Sequence, residues 1–499
     1  MTADATATDP DLSLLGPGSM LHGYCHEVRW GMAVVRATVL EAAHPQIGAA
    51  LVENSTFVAH PWRRVFNTLG SVQRILDADP EVRDREADRL NRMHHRISGT
   101  DEHGRSYSAM DPDARAWVVA SLFESTVELN RMSGLSMNGP AMERLYAEFR
   151  AFLSVLEGDA DHLPATSAEF WPYFDDMIVR GLENTEAMRI ILFELFGRMP
   201  APPLLRGHPA FWAASRVMAG PVIAEFLKAS LPDALRRRAG LGETPGSQIL
   251  ARGVYLGTGV ASRLLPPAWT RTDTVVGLLD PTRADGPGGQ LLTTLRRQQA
   301  RAAALLRLLT PLASERSASE GSAARSAERF FAEVLDQTGD GYVSWPDLAA
   351  MAREVASRLD LDADAEERLF DAFAAWWREL ASALDADRDG RVSREEYAGA
   401  ASSLASPALV AVAEVLFDTA DTDGDQTISA EEYKALFRTA FPRTPPAPRD
   451  GAAHDATPAG AGVRNGDASY SRSRFIREFL DFMAGRRASA GYDSLLSQP

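Results

Sequence analysis

Apolar residues recur at spacings of three and four along most of this chain, which is the pattern of helices that bury one face. Runs that alternate apolar and polar residues, which would predict strands, are scarce. Asp111-Pro112 provides a helix start, because proline suits the first turn of a helix. We therefore predict an all-α fold. The helical spacing is clearest in residues 114–129, 141–156, 186–196 and 209–227.

The chain has 499 residues, which exceeds what one hydrophobic core usually serves, and its charge is unevenly spread. Residues 321–499 carry a net charge of −12 out of the total of −16. A stretch rich in Ser, Ala and Glu at residues 313–328 marks the change and is typical of a linker. We predict a helical domain at residues 1–312, a linker at 313–328 and a second domain at 329–499.

Composition argues against several classes of protein. The single cysteine, Cys25, excludes a disulfide framework, a cysteine-rich zinc module and a cysteine-ligated iron–sulfur cluster. The net charge of −16 argues against a nucleic acid or an anionic membrane as a partner. A membrane span needs an uninterrupted run of about 20 apolar residues, and the sequence contains none. No secretory signal is visible near the N-terminus. We therefore expect a cytoplasmic protein without a membrane span.

The strongest chemical signal is an acidic loop that starts at Asp385 and has the spacing of an EF-hand. Ca²⁺ takes about six to eight oxygen ligands, which alternate acidic side chains, one backbone carbonyl and a final bidentate glutamate supply. Gly390 stands where the sharp turn of the loop requires glycine, and the alternative is an acidic surface turn. The predicted ligands are Asp385, Asp387, Asp389, Arg391 through its carbonyl, Ser393 and Glu396.

Two more loops share this spacing, and we predict that both bind Ca²⁺. The first ends in Asp347, whose short side chain reaches an ion less easily in a bidentate manner, so this site should be weaker or more tolerant of Mg²⁺. The third has Gln426 where glycine is expected, and positive φ at a non-glycine residue costs about 1 kcal/mol. The predicted ligands are Asp336, Thr338, Asp340, Tyr342, Ser344 and Asp347 in the first loop, and Asp421, Asp423, Asp425, Thr427, Ser429 and Glu432 in the third.

A fourth loop is expected because EF-hands work in pairs, and residues 463–474 fit its place. Tyr470 stands at the position that an apolar residue occupies in the other three loops. Val463 and Arg474 stand where acidic ligands should be, so we predict a degenerate hand that binds no ion and supports the third. The alternative is an unrelated linker followed by a helix.

These four hands, with a long spacing between the first and second, resemble the calerythrin and sarcoplasmic calcium-binding protein family over residues 327–484. The resemblance implies a compact calcium-binding domain that is often more a buffer than a sensor. This chain departs from the family in its degenerate fourth loop, in Asp347 and in Gln426.

The first half lacks a phosphate-binding glycine loop, a GxSxG nucleophile elbow and an HExxH zinc helix. Its distinctive residues are histidines in helical stretches, although a lone histidine in an apolar helix is more often a core residue than a ligand. They are His22, His26, His44, His60, His94, His95 and His103.

Three segments of this half, residues 41–70, 92–119 and 163–174, resemble the family of the fungal mycophenolate-pathway oxygenase and the catalytic domain of rubber oxygenase, the latex-clearing protein. We extend the resemblance to residues 16–279. The matching motif residues are His44-Pro45, Arg64 with Thr68, His94 with Gly99, Tyr107, Ala109, Asp111 and Pro112, and Trp117.

The resemblance implies an all-helical fold that carries haem b on a histidine. Carried over, the axial ligand is His94, with His95 as the second choice, and Arg64 and Thr68 line the haem face. A neutral imidazole suits iron, and an arginine beside the haem can stabilise developing negative charge. Asn67 replaces a lysine that rubber-cleaving relatives place before the threonine, so a lysine-capped closed state is not expected. Val119 stands where many relatives have another histidine.

The first hypothesis is therefore a haem-dependent oxygenase or peroxygenase that acts on an apolar organic substrate and is fused to a calcium-binding module. The alternative is a non-catalytic calcium buffer or sensor with a haem-free helical domain. The fusion is expected to be a tether; the alternative is a calcium-dependent apolar groove that docks on the first half. That groove would use Phe370, Phe373, Trp376 and Trp377, which ordinary core packing explains equally well.

Overall fold

A computed structural model places the chain in two compact units, Met1–Thr310 and Pro311–Pro499. The predicted linker at 313–328 lies outside the described residues. The structure describes residues 12–272 and 331–483, with gaps at 55–56, 59–60, 78, 102, 202–208, 243, 267–269, 360, 401–405, 430–431, 433–435 and 437–469.

The described part of the first unit is helical, apart from one short antiparallel hairpin of β1, Ser98–Thr100, and β2, Ser106–Ser108. The all-α prediction is confirmed. Its helices are α1 Met20–Cys25, α2 Trp30–Ala42, α3 Pro45–Asn54, α4 Pro61–Ile75, α5 Pro80–His95, α6 Pro112–Met132, α7 Gly139–Glu157, α8 Ser167–Asp176, α9 Glu186–Arg189, α10 Leu195–Arg198, α11 Pro209–Ser230, α12 Asp233–Arg238 and α13 Ser247–Leu264.

Helix α6 is the centre of this unit. It starts where the sequence predicts, because the Asp111 side chain accepts a hydrogen bond from the Ala114 amide, 2.9 Å away, and caps the helix. Phe123 is fully buried on α6 and contacts the rings of Tyr146 and Phe170 at 4.9 and 4.8 Å. Truncating such a core ring to alanine costs about 3–5 kcal/mol. The helix therefore holds α2, α7 and α8 at fixed positions around it.

The hairpin explains two motif residues as packing requirements. The Tyr107 hydroxyl accepts a hydrogen bond from the Asn54 side chain at 2.9 Å and donates one to Glu53, so it ties β2 to the end of α3. A Cβ atom on Gly99 would lie 2.5 Å from the Tyr107 hydroxyl oxygen. Only glycine at position 99 leaves room for this contact. Gly99 and Tyr107 therefore stabilise the hairpin that follows α5.

The second unit consists of paired helix–loop–helix segments around its own core. Phe370, Phe373 and Trp376 are buried in that core and Trp377 packs against it, so core packing accounts for the aromatic residues considered above for a groove. Its elements are β3 Tyr342–Val343, α14 Trp345–Arg358, α15 Ala363–Leu384, β4 Val392–Ser393, α16 Arg394–Ala400, α17 Pro407–Ala420, β5 Thr427–Ile428, β6 Tyr470–Ser471 and α18 Arg472–Met483.

Two short antiparallel pairings join the loops of this unit. Val343 of the first loop pairs with Val392 of the second. Ile428 of the third pairs with Tyr470, at the equivalent position of the degenerate fourth. None of the described helices is both long enough and apolar enough to cross a membrane.

Candidate calcium loops and histidine site

The second loop brings three of its predicted ligands together between α15 and α16. Carboxylate oxygens of Asp385, Asp387 and Glu396 all lie within 4.8 Å of one another. Asp385 ends α15, and its side chain accepts hydrogen bonds from the Asp389 and Gly390 amides at 3.1 and 3.0 Å. The loop backbone therefore turns these carboxylates toward a common centre, which is the oxygen-rich arrangement that Ca²⁺ requires.

Hydrogen bonds within the second loop favour the charged form of Glu396. The Ser393 amide donates to one carboxylate oxygen at 2.8 Å, and the Ala386 amide donates to the other at 2.9 Å. These hydrogen bonds, first of all the one from Ser393, lower the pKa of Glu396 below its usual value. The carboxylate therefore stays ionised down to lower pH than a free glutamate.

The third loop repeats this geometry. Carboxylate oxygens of Asp421, Asp423 and Glu432 again lie within 4.8 Å of one another. Hydrogen bonds from the Thr422 side chain and from the Ser429 amide lower the pKa of Glu432 to about 2. The third loop therefore has the same preformed acidic centre as the second.

Left-handed backbone recurs at the fourth and sixth positions of each calcium loop. Gln426 has a φ of 63°, the conformation that the sequence predicts for this position, and Gly390 has 82° at the equivalent place. Arg388 of the second loop also adopts positive φ, at 62°. Each non-glycine residue in this region stores backbone strain of about 1 kcal/mol.

The first loop differs in its electrostatics. Asp347 is fully buried and accepts hydrogen bonds from the Thr338 and Ser344 amides at 2.8 and 2.7 Å. Burial, and then the charge of Asp347, raise the pKa of Asp336 to about 6. In the part of the chain that the structure describes, clusters of three acids occur in loops two and three. A proton on Asp336 therefore competes with an ion for the first loop. This effect has the same sign as the predicted weaker binding at that site.

The histidine candidate in the first unit lies at the end of α5. His94 is half-buried, its Nδ1 is buried, and Nδ1 has no hydrogen-bond partner among the described residues. Burial, followed by the charges of Arg115, Arg64 and Arg89, lowers the pKa of His94 to about 3. His94 is therefore neutral at physiological pH, and a neutral imidazole has a lone pair for a metal. The neighbouring His95 is exposed.

Arg64 and Thr68 lie one turn apart on α4 and share a face of that helix. The Arg64 side chain is exposed at the surface, while the protein atoms packed around its guanidinium lower its pKa. The charge of Arg64 on α4 contributes to the lowered pKa of His94 on α5, so the two side chains lie near each other.

Glu41 of α2 is a site residue that the sequence prediction missed. Burial raises the pKa of its carboxyl group to about 7, although the charge of Arg64 and a hydrogen bond from the Ser121 hydroxyl at 3.3 Å oppose the shift. An acid near the end of a largely apolar helix, three residues before the motif residue His44, is the signal that could have identified it.

Two of the arginines near His94 are already paired. Arg89 donates to Glu86 at 2.9 Å, and hydrogen bonds from Arg89 and Arg74 lower the pKa of Glu86 to about 2 against the effect of burial. Arg115 forms an ion pair with Glu157. The Arg74–Glu86 pair joins α4 to α5, and the Arg115–Glu157 pair joins α6 to α7.

The other motif residues have structural environments. Trp117 donates from Nε1 to the Leu40 carbonyl at 3.1 Å and stacks on Phe174 at 5.5 Å. His44 has a buried Nδ1 without a partner among the described residues, and burial lowers its pKa. His60 lies outside the described residues.

Residues 23–264 match the family described as the ER-bound oxygenase mpaB/B′ and rubber oxygenase catalytic domain. This match lies within the first unit and spans its described helices from α2 to α13. Residues 382–398 and 413–437 match the EF-hand family, which covers the second and third loops of an EF-hand calcium-binding module. The predicted resemblances to an oxygenase domain and to EF-hand proteins are confirmed.

Two solved structures are similar to the chain. One is a calcium-binding protein of Streptomyces coelicolor, at 19% identity over 33% of this chain and 98% of that one, with a TM-score of 0.25. The other is the coelenterazine-binding protein of Renilla muelleri, at 21% identity over 36% of this chain and 97% of that one, with a TM-score of 0.23. Among curated proteins, no match to this sequence was found.

Proposed function

We propose that the oxygenase domain binds haem b at His94 and oxidises an apolar organic substrate, and that its calcium module binds ions in three loops. The observation that carries the haem proposal is the neutral His94 imidazole, whose buried Nδ1 has no hydrogen-bond partner among the described residues, near the charge of Arg64. Rubber, which the family description names, is a hydrocarbon, and this supports an apolar substrate.

The residues present fit a haem. A histidine-ligated haem takes a neutral imidazole nitrogen at its iron, and nearby cations favour its propionate groups. His94 offers the nitrogen, because its pKa of about 3 keeps it unprotonated, and Arg64 offers a guanidinium near it. His94 would hold the iron while Arg64 and Thr68 line the haem face. When bound, haem supplies redox chemistry with oxygen or peroxide that protein side chains lack.

Glu41 and Arg64 have different roles at this site. Arg64 places a positive charge in a desolvated space, where it stabilises negative charge that develops on a reacting group. The Glu41 carboxyl, with a pKa of about 7, holds or releases a proton on its side-chain oxygen near neutral pH. The Ser121 hydroxyl, 3.3 Å away, orients that carboxyl group.

The calcium proposal rests on the clustered acids of the second and third loops. The second loop should bind most tightly, because it combines a preformed acidic centre with glycine at the sixth position. The first loop should be weaker, since a proton on Asp336 competes with the ion below a pH of about 6. The fourth hand should bind no ion.

Haem titration of the purified full-length protein tests the oxygenase proposal. Wild type should develop a Soret absorbance band that saturates at one haem per chain, both with Ca²⁺ and with a chelator. Arg64→Ala should retain the band and lose about 3 kcal/mol of transition-state stabilisation, which is roughly a hundredfold in turnover. A protein that stays colourless with excess haem would contradict the proposal and leave the alternative of a calcium buffer or sensor.

A further inference from the structure

Apolar side chains are exposed on one pair of neighbouring helices far more than elsewhere. Among the described residues, 17 large apolar side chains are exposed, and ten of them belong to α11 and α13. Exposed apolar surface of this concentration marks an interaction surface. The ten residues are Phe211, Val217, Met218, Val222, Ile249, Leu250, Val254, Leu256, Val260 and Leu264.

Helix α13 is firmly seated and still presents an apolar outer face. Ala251 and Tyr255 are buried, and a Cβ atom on Gly259 would lie 2.8 Å from the Ser133 carbonyl oxygen. The opposite face exposes Ile249 by 78% and Leu264 by 77%. Among the described residues, the core covers only the face with Ala251 and Tyr255, so the opposite apolar face is available to a partner.

Helix α11 lies beside α13, because the rings of Phe226 and Tyr255 are 5.3 Å apart. Its exposed positions recur at helical spacing and hold no charged residue. Met218, for example, is exposed by 76%. The exposed apolar residues therefore lie on two packed helices, and we call them together the α11–α13 face.

Charge distinguishes among possible occupants of the α11–α13 face. Arg252 and Arg263 lie along one edge of the exposed stripe of α13, and that helix contains no acid. The two helices share a single acidic residue, Glu225, which forms an ion pair with Lys228. A second copy of the chain on this face would bring the same arginines together, whereas an anionic lipid surface offers both negative charge and an apolar layer.

We propose that the α11–α13 face binds the surface of an anionic membrane without crossing it. The apolar side chains enter the boundary between headgroups and acyl chains, and Arg252 and Arg263 contact lipid phosphates. The total charge of −16 argues against such a partner, but −12 of it lies in residues 321–499. The local balance on α11 and α13 is positive, and this proposal is independent of haem binding.

Vesicle flotation of the full-length protein tests this proposal. The probe is vesicles of equal parts phosphatidylcholine and phosphatidylglycerol, with pure phosphatidylcholine vesicles as the reference. Leu256→Asp combined with Leu264→Asp should reduce binding to the anionic vesicles about tenfold or more, because both side chains then resist entry into the acyl layer. The matched control is Leu12→Asp, since Leu12 is exposed by 42% and Leu256 by 47%.

A second variant keeps the test informative if the double aspartate variant misfolds, as judged by circular dichroism. Arg252→Gln combined with Arg263→Gln should weaken binding to anionic vesicles and leave the weaker binding to neutral ones unchanged. Three results would overturn the proposal: wild type that ignores both vesicle types, a change in oligomeric state of the aspartate variant without vesicle binding, or faster proteolysis within residues 273–330 in that variant. The last two would identify a second copy or the following segment of this chain as the occupant.

Discussion

The calcium loops and the histidine site control charge in opposite ways. Glu396 and Glu432 sit near solvent, and hydrogen bonds from their own loops keep them ionised. Glu41 and His94 lie inside the protein, where burial favours the neutral forms of both. The calcium loops therefore keep negative charge that attracts a cation. The histidine site keeps a neutral imidazole and a carboxyl group that can gain or lose a proton near neutral pH.

The two sites also differ in how far apart their parts lie along the chain. Each calcium loop assembles within 12 consecutive residues, from Asp385 to Glu396 in the second loop. The histidine site combines residues from α2, α4 and α5, so it exists only when those helices pack. Calcium binding in a loop should therefore tolerate substitutions elsewhere in the fold. The histidine site should lose its geometry when the packing of its helices is disturbed.

The largest expected effect separates the two histidines of α5. His94→Ala should abolish or strongly shift the Soret band, because it removes the neutral imidazole, while His95→Ala should leave most haem bound since that side chain is exposed. Absorbance spectra of both purified variants measure this. Reversed outcomes would make His95 the ligand. Calcium binding should be unchanged in both variants.

Glu41→Gln should stabilise the haem-free first unit at alkaline pH. The folded pKa of about 7 exceeds the value of 4.5 for an ordinary glutamate, so folding of wild type loses stability as pH rises from 4.5 to 7. The variant has no such penalty and should gain on the order of 3 kcal/mol at pH 8. Denaturant unfolding at pH 8 and at pH 5 measures it. A gain of equal size at both pH values would show that ionisation is not its cause.

Glu396→Gln should remove one calcium site and leave the others. The change deletes a charge and one bidentate ligand, so affinity at the second loop should fall about a hundredfold or more. Titration calorimetry measures the stoichiometry, and Glu395→Gln is the matched control because that neighbouring side chain is exposed. An unchanged stoichiometry would refute the predicted ligand spacing.

Gln426→Gly should raise the calcium affinity of the third loop, and this is the smallest of the expected effects. Glycine adopts the φ of 63° without strain, which is worth about 1 kcal/mol, or roughly fivefold in calcium affinity if the loop orders on binding. Calorimetry on this variant and on Arg388→Gly, which relieves the same strain at 62° in the second loop, measures it. Weaker binding after Gln426→Gly would mean that the glutamine side chain supports the loop.

Most of the calcium module could be predicted from local spacing. The pairing of Ile428 with Tyr470 agrees with the predicted place of the fourth hand, and the φ of Gln426 agrees with its predicted conformation. The electrostatic difference of the first loop was only partly predictable. The short side chain of Asp347 is visible in the sequence, whereas its burial and its effect on Asp336 depend on packing.

The sequence by itself determined the helical class, the two families and the ligand spacing of the loops, because periodicity and short motifs are local properties. Only the tertiary structure decided which histidine of α5 is the less exposed one and that Arg64 lies near both His94 and Glu41. It also left the apolar side of α13 exposed among the described residues. Burial depends on which helix faces meet, and that depends on all helices packing together.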